Sequence, residues 1–255
     1  VPAFLRGRAG SRLADWQAAA AENDAQGQFM LGLYEALCQS GEVKQAGIGR
    51  LKDLATAGMP EAGFWLGTMH LDDRARAAEW LLMAAERGHA WSQLLLGLLL
   101  DDGSGPRGSG NAVEWLTKAA EQGLADAQET LGTAYFEGKL VSKDFAAAIG
   151  WWRKAADQGL DGSQYSLGVM YLNGWGCEKD VAEARKWLRL AAAQEGKYAE
   201  RARQLEQATD PFVMDVYRCQ RCGREQLGGD EGRSVCPNAK CRGKMVKAGQ
   251  AKVRL

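Results

Sequence analysis

Apolar residues recur along the first two hundred positions in a pattern that is neither continuous nor alternating. The dipeptide Leu-Gly returns at Leu31-Gly32, Leu66-Gly67, Leu96-Gly97, Leu131-Gly132 and Leu167-Gly168, with glycine spacings of 35, 30, 35 and 36. Between these lies Trp-x3-Ala-Ala: Trp80 with Ala84-Ala85, Trp115 with Ala119-Ala120, Trp151 with Ala155-Ala156, and Trp187 with Ala191-Ala192. Within each segment the apolar residues keep helical spacing, so each unit reads as two helices. The first holds Leu-Gly, followed three residues on by Leu100, Tyr135, Tyr171 or, in one unit, His70. The second holds Trp, an apolar neighbour (Leu81, Leu116, Trp152 or Leu188) and the Ala pair. Gly88, Gly123 and Gly159 close three of the second helices, where a left-handed residue ends a helix without a Cβ penalty. A single pair could not bury its apolar face, but stacked pairs can, and the expected product is an α-solenoid.

These residues form the series Ala-x3-Leu-Gly-x2-Tyr-x2-Gly followed by Asp-x3-Ala-x2-Trp-x2-Lys-Ala-Ala-x2-Gly. The fourth unit shows it most fully, in Ala127, Leu131, Gly132, Tyr135, Gly138, Asp144, Ala148, Trp151, Lys154, Ala155, Ala156 and Gly159. The pattern resembles the Sel-one-like repeat, a relative of the tetratricopeptide repeat, over about four-fifths of the chain. About five repeats are expected. Trp16 with Ala20-Ala21 marks a half repeat before them, and residues 197–207 form a helix capping the far end. The second unit lacks the glycine-containing loop between Gly67 and Trp80, and the first has Arg50 in place of tryptophan.

From Pro211 to Leu255 the chain changes character. This tail has ten Lys/Arg against four Asp/Glu, a formal +6, leaving −6 on residues 1–210 of a chain whose total is zero. Cys219-x2-Cys222 is followed by 13 residues and then Cys236-x4-Cys241. Two close pairs of thiolates suit tetrahedral zinc, and the strand-like runs around them, 213–218 and 244–246, with a turn at Gly228-Gly229-Asp230, predict a small β zinc ribbon. Four thiolates leave no open position, so the zinc is structural. A redox reading of Cys219 and Cys222 would need a helix N-terminus and a βαβ context, and the sequence shows neither. The predicted fold is therefore an all-α solenoid of stacked helix pairs followed by a zinc ribbon. The domains are a basic N-terminal segment (1–12), the solenoid (13–209) and the ribbon (210–255).

No apolar run reaches the roughly 18 residues a bilayer span needs. The sequence opens on Val1, compatible with removal of a leader; Val1 to Arg12 has three arginines and no apolar run of signal-peptide length. Cys38 and Cys177 do not recur with the repeat, and with a thiolate zinc site they favour a reducing, cytoplasmic setting.

Few groups suggest catalysis. The chain has no Gly-x-Ser-x-Gly, His-Glu-x-x-His or Walker loop. Gly103-Ser-Gly105-Pro-Arg-Gly108 fits a dinucleotide fingerprint only formally, because it follows a predicted helix rather than a strand. His70 stands where later units place tyrosine and reads as packing; His89 follows a helix end and reads as solvated. Trp65, Trp91 and Trp175 are out of phase: other units hold Leu95, Thr130 and Ser166, or Asp126 and Gly162, at the first two positions. They are either packing at irregular repeat boundaries or partner-binding anchors, since interface hot spots favour tryptophan.

The resemblance implies a non-enzymatic scaffold for protein–protein interaction, binding a partner on the concave face, with the ribbon as a second interaction module. Residues 13–210 carry about −9, so a basic partner would be steered there. The alternative is nucleic-acid binding through Arg218, Arg221, Arg224, Arg233, Lys240, Arg242, Lys244 and Lys247, with only Phe212 and Tyr217 for stacking. A hydrolase acting on cell-wall or β-lactam substrates, an activity attributed to relatives of the repeat family, finds no supporting nucleophile–base pair in the sequence.

Overall fold

The computed structural model describes residues 2–101 and 110–209 and three short strands, 213–219, 225–227 and 245–252; side chains are described for residues 12–100 and 110–209. The chain divides into two compact units, Val1–Leu160 and Asp161–Leu255. The first contains α1 (Pro2–Ala21), α2 (Ala25–Cys38), α3 (Gly41–Thr56), α4 (Pro60–Met69), α5 (Arg74–Glu86), α6 (Ala90–Asp101), α7 (Ala112–Glu121), α8 (Ala125–Glu137) and α9 (Phe145–Asp157). The second contains α10 (Asp161–Asn173), α11 (Val181–Ala192), α12 (Ala199–Ala208), and strands β1 (Val213–Cys219), β2 (Glu225–Leu227) and β3 (Met245–Lys252).

Within the first unit each helix packs on its chain neighbour, giving the pairs α2–α3, α4–α5, α6–α7 and α8–α9. The local signals are repetitive. The second helices α5, α7 and α9 begin at a side-chain cap: Asp73 accepts from the Arg76 N–H, Asn111 from Val113, and Asp144 from Ala146 and Ala147, satisfying donors that the first helical turn leaves open. This is the physical role of the repeat's aspartate. Second helices end at Gly88, Gly123 and Gly159, with φ of +86°, +91° and +95°.

The Leu-Gly pair explains the pairing. Leu66, Leu96 and Leu131 are fully buried, as are Leu81 and Leu116 on the second helices. A Cβ added at Gly67 would stand 2.5 Å from Leu81 Cγ, and one at Gly97 would stand 2.7 Å from Leu116 Cγ. At Gly132 it would meet the indole of Trp152, which is buried. Glycine is therefore required because the second helix's large apolar residue fills the space a side chain would occupy. Arg50, standing in the tryptophan position of α3, instead pairs with Glu35 of α2 at 3.1 Å.

The in-phase tryptophans are less uniformly buried than a core role predicts. Trp115 is buried, whereas Trp80 and Trp151 are half-buried. They lie at the margin of the second helix, where a lysine one turn on can cover the ring: Lys118 Nζ is 4.0 Å from the Trp115 centroid and Lys154 Nζ 3.9 Å from that of Trp151.

The expected terminal half repeat is present, but α1 begins at Pro2 rather than at residue 13, so residues 2–12 are helical. Trp16 lies 6.4 Å from Tyr34, ring to ring. The shortened second unit joins α4 to α5 through residues 70–73, against 138–144 between α8 and α9.

In the second unit α10 and α11 repeat the pairing. Leu167 and Leu188 are fully buried, and a Cβ at Gly168 would stand 2.6 Å from Leu188 Cγ. The expected capping helix is α12, whose Ala202 and Leu205 pack with Leu188 and Ala191. The strands form one antiparallel sheet in the order β2-β1-β3, with Arg218 opposite Glu225 and Cys219 opposite Met245. β1 and β3 extend the two expected strand runs, and β2 is an additional strand.

Gly97→Ala is expected to lower stability by about 1–3 kcal/mol through overpacking against Leu116, although alanine is the better helix former. Gly150→Ala, on an exposed position of α9 with nothing within 4 Å of the added carbon, is expected to raise stability by up to about 1 kcal/mol. Thermal or urea denaturation of the two variants measures both signs.

Candidate interaction surface

Each first helix turns its Leu-Gly side to its partner, and the opposite side is only partly covered. On α6 that outer side carries Trp91, Leu95 and Leu98, at i, i+4 and i+7, which places them in one row. Trp91 and Leu98 are 44% and 47% exposed, and Leu95 is half-buried against the core formed with α5 and α7. The corresponding row on α8 is Asp126, Thr130 and Thr133, and on α4 it is Glu61, Trp65 and Thr68. Repeat packing therefore does not demand apolar residues here.

The three out-of-phase tryptophans separate. Trp65 is half-buried, packs on the core built from α2, α3 and α4, and meets Phe64 edge-on at 5.6 Å. Trp91 stands exposed on α6. Trp175, in the α10–α11 connection of the second unit, is 41% exposed.

Charge is sorted by helix as well. None of α2, α4, α6 and α8 contains a lysine or arginine, whereas α3, α5, α7 and α9 all do. Glu61 and Asp126, both exposed, occupy the position of Trp91 on the first helices before and after it, and Glu129 and Glu137 add to α8.

His89 is not solvated as its place in the sequence suggests. It precedes α6, is half-buried, and lies 4.9 Å from Phe64, centroid to centroid. The Ser92 N–H donates to His89 Nδ1 at 3.2 Å, so the imidazole caps the helix as an acceptor and the neutral ring holds its proton on Nε2. Burial lowers its pKa below 6.5, opposed in part by Glu61. Ser92 Oγ is also 2.9 Å from Nδ1, which superficially matches a nucleophile and its base. Ser92 is fully buried, however, and the ring nitrogen already accepts from that serine's own backbone, so the pair is a helix cap. His70 closes α4, with Nδ1 2.8 Å from the Leu66 carbonyl oxygen.

A buried glutamine series, which sequence reading missed, joins the repeats. Gln93 and Gln128 donate to the carbonyls of Ala85 and Ala120 at 3.0 Å, tying each first helix to the helix before it. Each accepts in turn from a glutamine at the end of its own pair, Gln122 at 2.7 Å and Gln158 at 2.8 Å. Gln194 and Gln164 repeat this at 2.8 Å in the second unit. Spacings of 35 and 36 for Gln93, Gln128 and Gln164 were the available signal.

Cys222, Cys236 and Cys241, and the side chain of Cys219, lie outside the described residues, as do the side chains of the basic residues considered for nucleic acid and the fingerprint loop 103–108. Among the described residues no cluster of His, Cys, Asp or Glu is arranged to hold a metal ion, and no helix is long and apolar enough to cross a membrane. Cys38 and Cys177 are half-buried thiols.

Comparison with known proteins agrees with this architecture. The Sel1 repeat profile matches residues 61–89, 92–124, 125–160 and 162–195, together just over half of the chain. A protective antigen present in uropathogenic Escherichia coli strains, displaying an SLR fold, is 28% identical with a TM-score of 0.67, covering 76% of this chain and 42% of its own. A Sel1 repeat protein from Oxalobacter formigenes is 29% identical with a TM-score of 0.64, covering 74% and 58%. The chain thus spans about half the length of these two proteins. No curated protein matches it.

Because the folded pKa of His89 is depressed, its capping contribution is complete above pH 6.5 and is lost as pH falls through and below that value. His89→Asn, which keeps a capping acceptor that does not titrate, is expected to flatten the fall in stability between pH 7.5 and 5.5, measured by denaturation at about those two pH values.

Proposed function

The chain belongs to the Sel1 repeat family, and from that premise we propose that it is a non-enzymatic scaffold that receives a protein partner on the outer surface of its first helices. Sel1 repeats are generally protein–protein interaction modules. The observation that carries the proposal for this chain is the pair Trp91 and Leu98, exposed on α6 on either side of half-buried Leu95, where neighbouring repeats place Glu61 with Thr68 or Asp126 with Thr133. A large aromatic held on a rigid helix loses little conformational freedom on binding, which suits it to anchor a partner. Trp175 is a second exposed anchor in the other unit.

We propose also that Cys219, Cys222, Cys236 and Cys241 hold a structural Zn²⁺, making the C-terminal module a second interaction surface. The donor chemistry fits: four thiolates in two close pairs satisfy tetrahedral zinc. The strand register supports it. Cys219 ends β1 and sits opposite Met245, which follows Cys241 by four residues in the sequence. A module this small gains much of its folding free energy from such an ion.

Affinity capture of the full chain from its native source, with partner identification, tests the scaffold. Trp91→Ala is expected to reduce recovery of a specific partner about tenfold; recovery unchanged in both Trp91→Ala and Trp175→Ala would remove these anchors. Elemental analysis tests the metal. About one zinc per purified chain is expected, with loss in Cys236→Ser, whereas metal-free protein from zinc-supplied cells would overturn the site.

A further inference from the structure

We propose that the outer face of α6 docks a basic amphipathic helix of the partner protein, a reading that rests on the scaffold function and specifies its ligand. The row from Trp91 to Leu98 runs along two turns, roughly 10 Å, which matches apolar residues at i, i+4 and i+7 on a facing helix. The other side of α6 is already occupied: Leu94, Leu96 and Leu99 are buried and Gly97 abuts Leu116. The exposed part of the row, Trp91 and Leu98, is thus surplus to the fold. It is also helical rather than a strand edge, so recognition proceeds through side-chain anchors and not through added main-chain pairing.

Charge selects the ligand. The charged residues of the four first helices of this unit are all acidic, and Glu61 and Asp126 hold the position equivalent to Trp91 on the first helices before and after α6. His89, at the start of the row, is held toward its neutral form and adds no opposing charge. Lysines or arginines beside the apolar anchors of a docking helix would find carboxylates at the rim, whereas an acidic helix would be repelled. The same argument disfavours a second copy of this chain: a two-fold pairing through α6 would set Glu61 and Asp126 against their own equivalents.

The test uses the full chain and labelled synthetic helices of about 18 residues, long enough for five turns. One carries leucine at i, i+4 and i+7 flanked by lysine, a second replaces lysine by glutamate, and a third replaces leucine by alanine. Fluorescence anisotropy is expected to show saturable binding of the first alone, weakening as salt is raised. Trp91→Ala combined with Leu98→Ser is expected to weaken it at least about tenfold, and Asp126→Lys several-fold, with melting temperatures unchanged in these surface variants. Equal binding of the glutamate peptide, undiminished binding to the double variant, or a Trp91-dependent dimer in sedimentation would overturn the proposal. If native-partner capture still depends on Trp91 while no basic helix binds, the scaffold reading stands and the basic helical ligand falls.

Discussion

The contact on which the fold depends is the approach of a glycine on each first helix to a leucine or tryptophan on the second. The glycine leaves a notch that the opposing side chain fills, as Leu81 does at Gly67 and Leu116 at Gly97. Leucines beside the notch, such as Leu66 and Leu96, are then wholly excluded from water. Mid-helix glycine costs helix propensity, about 1 kcal/mol each, and the packing it permits offsets that cost. Where the opposing residue is larger, the notch still serves: Trp152 takes leucine's place against Gly132, at the expense of an indole N–H without a hydrogen-bond partner among the described residues.

Pairing alone would leave successive hairpins free to slide. The buried glutamines remove that freedom by tying α6 and α8 to the helix before each, at the Ala85 and Ala120 carbonyls. Gln128 donates to the Ala120 carbonyl behind it and accepts from Gln158 ahead of it. Buried amides left without partners would be costly, so any register that separates these groups is disfavoured. Apolar interlock supplies the burial, and this polar chain supplies the specificity of stacking.

Packing rests on the notch, the small residues, the caps and the glutamines, and beyond them the outer side of the first helices varies, from Trp65 packed on the core at α4 to polar residues at α8. That is where the repeats diverge. Thr130 and Thr133 on α8 give an ordinary polar face, while Trp91 and Leu98 on α6 give an apolar one within an acidic surround. A rigid stack carrying one atypical face has the character of a binding scaffold.

Repetition made most of the helical fold legible in the linear chain: identical neighbours impose identical packing positions, so Leu-Gly, Trp-x3-Ala-Ala and the closing glycines announce their helices without reference to anything distant. The spacing of the paired cysteines is the ground for the proposed metal site, and their side chains lie outside the described residues. What tertiary structure decided lies where two repeats meet. Trp65 and Trp91 look alike as out-of-phase tryptophans, yet one packs on the core and the other faces solvent. His89 follows a helix end in sequence, but Phe64 of another helix shelters it and Ser92 makes it a cap. Burial and hydrogen-bond partners are properties of the surroundings, and those surroundings are assembled from neighbouring helices as well as from the local chain.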